Sequence, residues 1–425
     1  MIACPDTQAI LIGGVTMNGG RYIRLYTPLS ASVLLLIATA GWSQSLTWLG
    51  TPGGDESLAY DVSADGSVVV GRASFRYDYS YYRAFRWTAS EGMQDLGTLG
   101  GSESWAFGVS AAGSVVAGRA HNAANRYRAF RWTASGGMQN LGTLGGDESL
   151  AYDVSANGSV VVGVAQDAAG QYRAFRWTAS GGMQNLGTLG GGSSSAYGVS
   201  ADGSVVVGGS FNTVNRRHAF LWTASGGMQD LDTPSSAGSE AYGVSASGSV
   251  VVGRAGNDVL GYRAFRWTAS GGMQNLGTLG GNQSEAYGVS SDGSVVVGKA
   301  RNTSGGYRAF RWTATGGMED LNATYATLLT PGSVLIEARA ISPNGRYCVG
   351  YGRNAATGRY EAFLLDTGFP LRGDVNRNGC VDDADLLQVL FAFGAQGYRN
   401  EDLNWDGAID DADLLEVLFN FGSGC

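Results

Sequence analysis

The chain has 425 residues, of which 44% are hydrophobic and 15% charged, a balance that excludes a disordered polymer. Glycine is the outlier, 68 residues against 7 prolines; that ratio excludes collagen, and with 20 Tyr, 15 Phe and 10 Trp it points to many short strands joined by tight turns. The net charge of −8 is local: residues 373–425 hold eleven acidic side chains and two arginines, leaving the body near neutral with no basic patch for nucleic acid.

In chain order, the first expected segment is a leader. Arg21 and Arg24 precede the apolar residues 29–38, and Ala38-Thr39-Ala40 supplies a small-x-small cleavage pattern. Residues 1–40 are therefore expected to be an export signal, with Met17 as the alternative start. The apolar stretch is well short of the roughly 20 residues a spanning helix needs. The mature chain is expected to be secreted, extracellular or at the cell surface, without a membrane span.

A repeat then fills residues 41–366. Arg-Ala-Phe-Arg-Trp-Thr-Ala, with the variant His-Ala-Phe-Leu-Trp-Thr-Ala at His218, recurs with its tryptophans at Trp87, Trp132, Trp177, Trp222, Trp267 and Trp312, each 45 residues from the last. An eroded seventh copy runs from Glu361 to Asp366. Each unit resolves into four strands, a to d: the AYGVS type, the SVVVG type, the YRAFRWT type and the GMQNLGTL type. Turn dipeptides such as Asp65-Gly66, Asn157-Gly158, Asp202-Gly203 and Asp292-Gly293 join a to b. Four-stranded units of this length are propeller blades. Seven copies of a–c are followed by only six copies of d. The missing strand stands at the N-terminus, where residues 46–50 match the d pattern and close the last blade. The expected fold is thus an all-β seven-bladed β-propeller followed, after a linker at 367–371, by a small α-helical module at 372–425.

The repeated words resemble a known family. His218-Ala219-Phe220, the VSADGSVVVG segment and the following WTA-x-GGM-x-x-LGTLGG are similar to the bacterial extracellular HAF repeat over residues 46–366. The resemblance implies a secreted repeat protein and no particular activity.

Residues 374–385 and 402–413 share the spacing of a calcium loop, with oxygen donors at positions 1, 3, 5 and 12 and glycine at position 6. The expected side-chain ligands are Asp374, Asn376, Asn378 and Asp385, then Asp402, Asn404, Asp406 and Asp413. Cys380 and Ala408 would give main-chain carbonyls, and Asp382 and Asp410 direct or water-mediated oxygens. Two calcium ions are expected. Each loop runs into an apolar helix, and no entering helix precedes either loop. The duplicated unit, 28 residues apart, resembles a type I dockerin. That resemblance implies a cohesin-like or other cell-surface partner, selected through Asp383, Ala384, Asp411 and Ala412.

Four cysteines are present. Cys4 lies in the leader and Cys348 replaces a strand valine. Cys380 and Cys425 flank the acidic module and are expected to close a disulfide in an oxidising compartment, the rival being a free terminal thiol at Cys425.

Between copies, the a–b and c–d turns are nearly invariant, whereas the b–c and d–a loops vary. Variation therefore gathers on one face, where functional loops are expected. The candidate ligand residues are Tyr77, Tyr79, Tyr81, Glu103 and Trp105, since aromatic planes beside carboxylates suit a glycan or a protein hot spot. The expected function is a non-catalytic binding or scaffold protein. The alternative is an extracellular carbohydrate-active enzyme on a propeller scaffold, although no unique acid–base pair stands out.

Overall fold

The computed structural model describes residues 44–75, 81–231, 238–257 and 261–425. The expected leader with Cys4, and the loop tyrosines Tyr77 and Tyr79, lie outside them. The chain forms seven four-stranded antiparallel sheets, each a propeller blade. Blade 1 runs Ser57–Val62 (a), Val69–Ser74 (b), Tyr82–Thr88 (c) and Gly92–Asp95 (d). Blades 2 to 6 repeat that order. Blade 7 has Val334–Ile341, Tyr347–Arg353 and Tyr360–Asp366 as a, b and c.

The N-terminal strand Ser45–Gly50 supplies the missing d strand. It pairs with strand c of blade 7, Leu46 opposite Leu365 and Trp48 opposite Phe363. The Trp48 and Phe363 rings meet edge to face, 6.2 Å apart. Blade 7 is thus woven from both ends of the repeat, and the sheet edge it would otherwise expose is paired.

The repeat sequence explains the packing. Each blade buries both faces, so strand b reads as continuous valine, with Val69, Val70, Val161, Val162, Val251 and Val252 fully buried. Phe85, Phe130, Phe175, Phe220, Phe265, Phe310 and Phe363 of strand c are buried to 1% exposure or less. Each apolar cluster joins neighbours: Val68, Val70 and Ala84 of blade 1, for example, pack on Ala106, Val109, Val116 and Phe130 of blade 2. Glycine in strand b makes room for the phenylalanine. A Cβ at Gly71 would collide with the Leu58 carbonyl and stand 2.7 Å from the Phe85 ring.

A serine of strand a stitches most pairs of blades; strand a of blade 7, VLIEARAI, has none. Ser104 Oγ accepts from Ala84 N–H of the preceding blade and donates to the Gly97 carbonyl. The same pattern recurs at Ser149, Ser194 and Ser284, and Ser57 repeats it across the closure, accepting from Ala362 N–H. These serines are fully buried, so each carries polar groups that water cannot satisfy.

The a–b turns form a crown around one end of the central channel. Ala64 N–H donates to the Ala111 carbonyl, and the chain continues through Ala156, Ala201, Ala246 and Ser291 to Pro343, at 2.9–3.1 Å. Pro343 has no N–H, so the seventh bond, back to Ala64, cannot form.

The C-terminal module contains two helices, Asp383–Ala392 and Asp411–Asn420, each opened by a capping box. Val381, Val389, Ile409 and Val417 are its fully buried centre. Cys380 and Cys425 are joined by a disulfide with Cα atoms 4.8 Å apart. Cys348 is free and buried in blade 7, where burial pushes its thiol up to about 12. No helix of the described residues is long and apolar enough to cross a membrane.

Deleting residues 45–50 removes the strand that closes blade 7 and the contact of Trp48 with Phe363. The loss should reach at least the ~3–5 kcal/mol typical of deleting one large buried aromatic. Calorimetric unfolding of the truncated chain should show a sharply lowered midpoint; an unchanged midpoint would rule out closure through this strand.

Candidate functional site

Strand a of every blade lines the channel, and every copy carries a β-bulge at the same place, between Ala59 and Asp61 in blade 1 and between Ala338 and Ala340 in blade 7. A bulge re-aims the residue it leaves unpaired. Here that residue is Tyr60, Phe107, Tyr152, Tyr197, Tyr242, Tyr287 and, in blade 7, Arg339. Their rings follow one another at centroid distances of 5.1–5.5 Å. Arg339 closes the circle, its guanidinium 4.5 Å from the Tyr287 ring and 5.5 Å from Tyr60. The result is a belt of six aromatic rings and one cation around a cavity of about 450 Å3. Burial raises the phenols of Tyr60, Tyr152, Tyr197, Tyr242 and Tyr287, so the belt stays neutral apart from Arg339.

Toward the variable face the next residues facing the axis are glutamates in blades 5, 6 and 7 and Trp105 in blade 2. Glu240, Glu285 and Glu337 alternate with cations in a ladder that spans blades 4 to 7. Arg217 pairs with Glu240, Glu240 with Arg254 at 2.7 Å, and Arg254 with Glu285 at 3.3 Å. Lys299, the sole lysine, pairs with Glu337 at 3.2 Å, and Glu337 also pairs with Arg339. Beside this ladder, Arg217, Glu240, Arg254 and Tyr262 line a second cavity of about 280 Å3. On the opposite side of the mouth, Trp105 is held between two guanidinia, Arg72 at 3.9 Å and Arg119 at 3.8 Å.

The expected ligand residues divide accordingly. Tyr81 is exposed beside the loop that lies outside the described residues. Glu103 is engaged on both oxygens, by the Trp105 indole N–H and by the Tyr127 hydroxyl at 2.7 Å. Both faces of Trp105 are covered by arginine. The repeated arginines of strand c reach the next blade: Arg131, Arg176 and Arg266 donate through Nε to the a–b turn carbonyls of Gly158, Gly203 and Gly293.

Toward the crown, the structure brings forward two residues that sequence reasoning missed. Asp61 and Asp153 stand where blades 2, 4, 5 and 6 have glycine, a break in symmetry visible in AYDV against AYGV. Each carboxylate accepts main-chain N–H groups on both oxygens: Asp61 from Val62 and Val109, Asp153 from Val154 and Val199. Each thus ties its own blade to the next. Burial pushes Asp61 up to about 8, helped by the charge of Asp153, and pushes Asp153 up to about 7.

The channel is closed at the crown by the C-terminal module. Trp405 is 5% exposed and packs on Ala64 and Ala111, with Ala156 and Ala246 around it. Tyr398 stacks on its outer side, 6.0 Å between centroids. Arg377 pairs with Asp292, and Arg372 donates to the Tyr347 hydroxyl at 3.1 Å. Trp405 was hidden in the sequence because it occupies an ordinary position between two loop ligands.

Within the module, the expected ligands adopt a repeated cage. Asp374 accepts from Asn378 and Gly379 N–H, and Asp385 from Asn376 and Asp382. Asp402 accepts from Asp406 and Gly407, and Asp413 from Leu403, Asn404 and Asp410. Asp382 and Asp410 cap their helices, accepting from Ala384 and Ala412 N–H. Asp383, Ala384, Asp411 and Ala412 are exposed at the helix starts. Asp374, Asp385, Asp402 and Asp413 are buried, and among the described residues no arginine or lysine pairs with them. Burial, and then the charges of Asp413 and Asp406, push Asp402 up to about 7. Among the described residues no three His, Cys, Asp or Glu side chains converge. The loop donors are instead a mixture of carboxylate, amide and main-chain oxygens. Such an oxygen set, acidic and uncompensated, fits a hard divalent cation.

Solved structures share the architecture at low identity. The chain is similar to puromycin hydrolase (15% identity, TM-score 0.50, 75% of this chain and 53% of that one). It is also similar to the β-propeller domain of the Trilobed protease from Pyrococcus furiosus (11%, 0.48, 74% and 94%) and to TolB from Acinetobacter baumannii (13%, 0.41, 67% and 76%). These likenesses concern the fold alone. No protein-family model matches the chain, and no curated protein matches its sequence. Fold and site together define a seven-bladed β-propeller carrying a two-helix module.

The channel carboxylates set a pH dependence. Their folded state favours the protonated form, whereas an unfolded carboxyl titrates near 3.8. Their contribution to stability is therefore full below about pH 4 and lost as pH rises through 7 to 8. In calcium-replete buffer the unfolding midpoint should fall between pH 5 and 9. The double variant Asp61→Asn, Asp153→Asn should flatten that fall; an identical slope in scanning calorimetry would discount the assignment.

Proposed function

We propose that this is a secreted, non-catalytic binding or scaffold protein: the propeller recognises a glycan or protein at the variable-face mouth of its channel, and the C-terminal module attaches the chain to a cohesin-like or other cell-surface partner. The carrying observation is an apolar surface repeated on the two helices. Phe391 and Phe419 are 86% and 74% exposed, and Leu387, Leu390, Leu415 and Leu418 lie beside them about half exposed. Apolar side chains held out at equivalent places on duplicated helices mark a surface for a partner. Asp383, Ala384, Asp411 and Ala412 flank this surface at the helix starts and would set its selectivity, as the dockerin resemblance implies.

Two calcium ions belong to this reading. Asp374, Asn376, Asn378, Asp385 and the Cys380 carbonyl would hold one; Asp402, Asn404, Asp406, Asp413 and the Ala408 carbonyl would hold the other. Calcium supplies positive charge to carboxylates that are buried together without a cationic partner, and so stabilises the module. The double engagement of Asp61 and Asp153 by main-chain N–H groups supports binding over acid–base catalysis, since neither carboxylate is left free to face a substrate.

Titration calorimetry of the full chain should count two calcium ions, and a flat titration up to millimolar calcium would reject the metal reading. A glycan array should retain the protein on a subset of polysaccharides. Tyr81→Ala and Arg254→Ala should each weaken that retention about tenfold, a loss of about 1.4 kcal/mol. Retention indifferent to both changes would place the binding surface elsewhere.

A further inference from the structure

The two loops of the C-terminal module share a backbone feature besides their oxygen pattern. Position 4 of each, Arg377 and Trp405, has a left-handed backbone, with φ of 58° and 60°. A bulky L-residue adopts that conformation only where its surroundings impose it. The loop cage imposes it here. Asp374 and Asn376 both accept from Asn378 N–H, and Asp402 and Asn404 both accept from Asp406 N–H. The chain is pinned at positions 1, 3 and 5, so the side chain at position 4 is turned outward as the tip of the loop.

Both tips land on the propeller crown. Arg377 pairs with Asp292 and donates to Ser294 Oγ at 3.2 Å, both on the a–b turn of blade 6. Trp405 enters the channel mouth against Ala64 and Ala111. The small residues of the crown make a socket wide enough for an indole, and the Tyr398 ring covers it from outside. The repeated apolar helix surface stays exposed, so seating the tips leaves that surface free.

We propose that calcium in the two loops fixes Arg377 and Trp405 in their outward conformation and thereby clamps the module onto the crown, so that the ion holds the channel closed at that end. This rests on the calcium reading above. With the ion bound, the channel is a blind pocket entered only from the variable face. With the ion removed, repulsion between the buried carboxylates of each loop relaxes the cage, position 4 leaves its left-handed conformation, and Trp405 withdraws. The channel is then open from face to face.

Hydroxyl-radical footprinting of the full chain, read residue by residue by mass spectrometry, reports on Trp405 directly. In calcium, Trp405 should be protected; in chelator its oxidation should rise at least fivefold, while buried Trp177, Trp222 and Trp312 of the blades stay unchanged. Small-angle scattering should show a larger maximum dimension in chelator. The double variant Arg377→Gln, Trp405→Ala should scatter like the chelated protein even in calcium, yet still take up two ions by calorimetry, since neither side chain is a ligand. Calcium uptake with Trp405 equally protected in calcium and chelator overturns the clamp alone. Wild-type dimensions of the double variant in calcium do the same. A flat calcium titration overturns the metal reading and the clamp with it.

Discussion

Every blade presents an apolar surface on both sides, and this single constraint governs the rest of the structure. Strand b is rich in valine and strand c sends a phenylalanine into the space that strand-b glycine leaves open. A blade with one neighbour would expose half of that surface to water. Stability therefore depends on each blade having two neighbours, which for seven copies requires a circle. The strand Ser45–Gly50 satisfies the requirement by crossing from the start of the chain to its last blade. The buried serines extend the same logic to polar groups, since each satisfies an N–H of the preceding blade that strand pairing leaves without a partner.

How much of this is legible in the sequence depends on whether the information repeats. Blade number, strand order and the closing strand follow from counting copies, because seven near-identical units leave little freedom. The contents of the channel do not follow, because they lie where copies differ by one residue. Asp61 and Asp153 each replace a glycine, and nothing in the one-dimensional pattern says that this position faces the axis. Arg339 stands in register with five tyrosines and a phenylalanine, yet blade 7 is too eroded for the substitution to be noticed. Trp105 shows the opposite difficulty. Its aromatic face looks available in sequence, but Arg72 and Arg119, each in strand b of its own blade, cover it from both sides. Trp405 is invisible for a third reason: its role requires the module to fold back on the propeller, a relation between segments far apart in the chain.

The channel is layered by depth. Paired charges span blades 4 to 7 at the variable face, aromatic rings form the waist, two carboxylates bound by main-chain N–H groups follow, and an indole fills the crown. The waist comes from one position of strand a repeated around the axis, the two carboxylates from the position after it, and the indole from the C-terminal module. Change at a single blade therefore alters one sector of one layer and leaves the others intact. Such a design lets the mouth diversify while the waist and crown remain under packing constraint.

The crown bonds all run in one direction around the axis, from each N–H to the carbonyl of the next turn. A circle of this kind has no beginning unless one member refuses to donate, and Pro343 is that member. The missing bond falls between blade 7 and blade 1, beside the blade that the chain closes with its own two ends. Under mechanical tension applied to those ends, the junction of blades 7 and 1 is the one that the crown does not hold, so the strand pairing inside blade 7 and the Ser57 stitch carry that load without it.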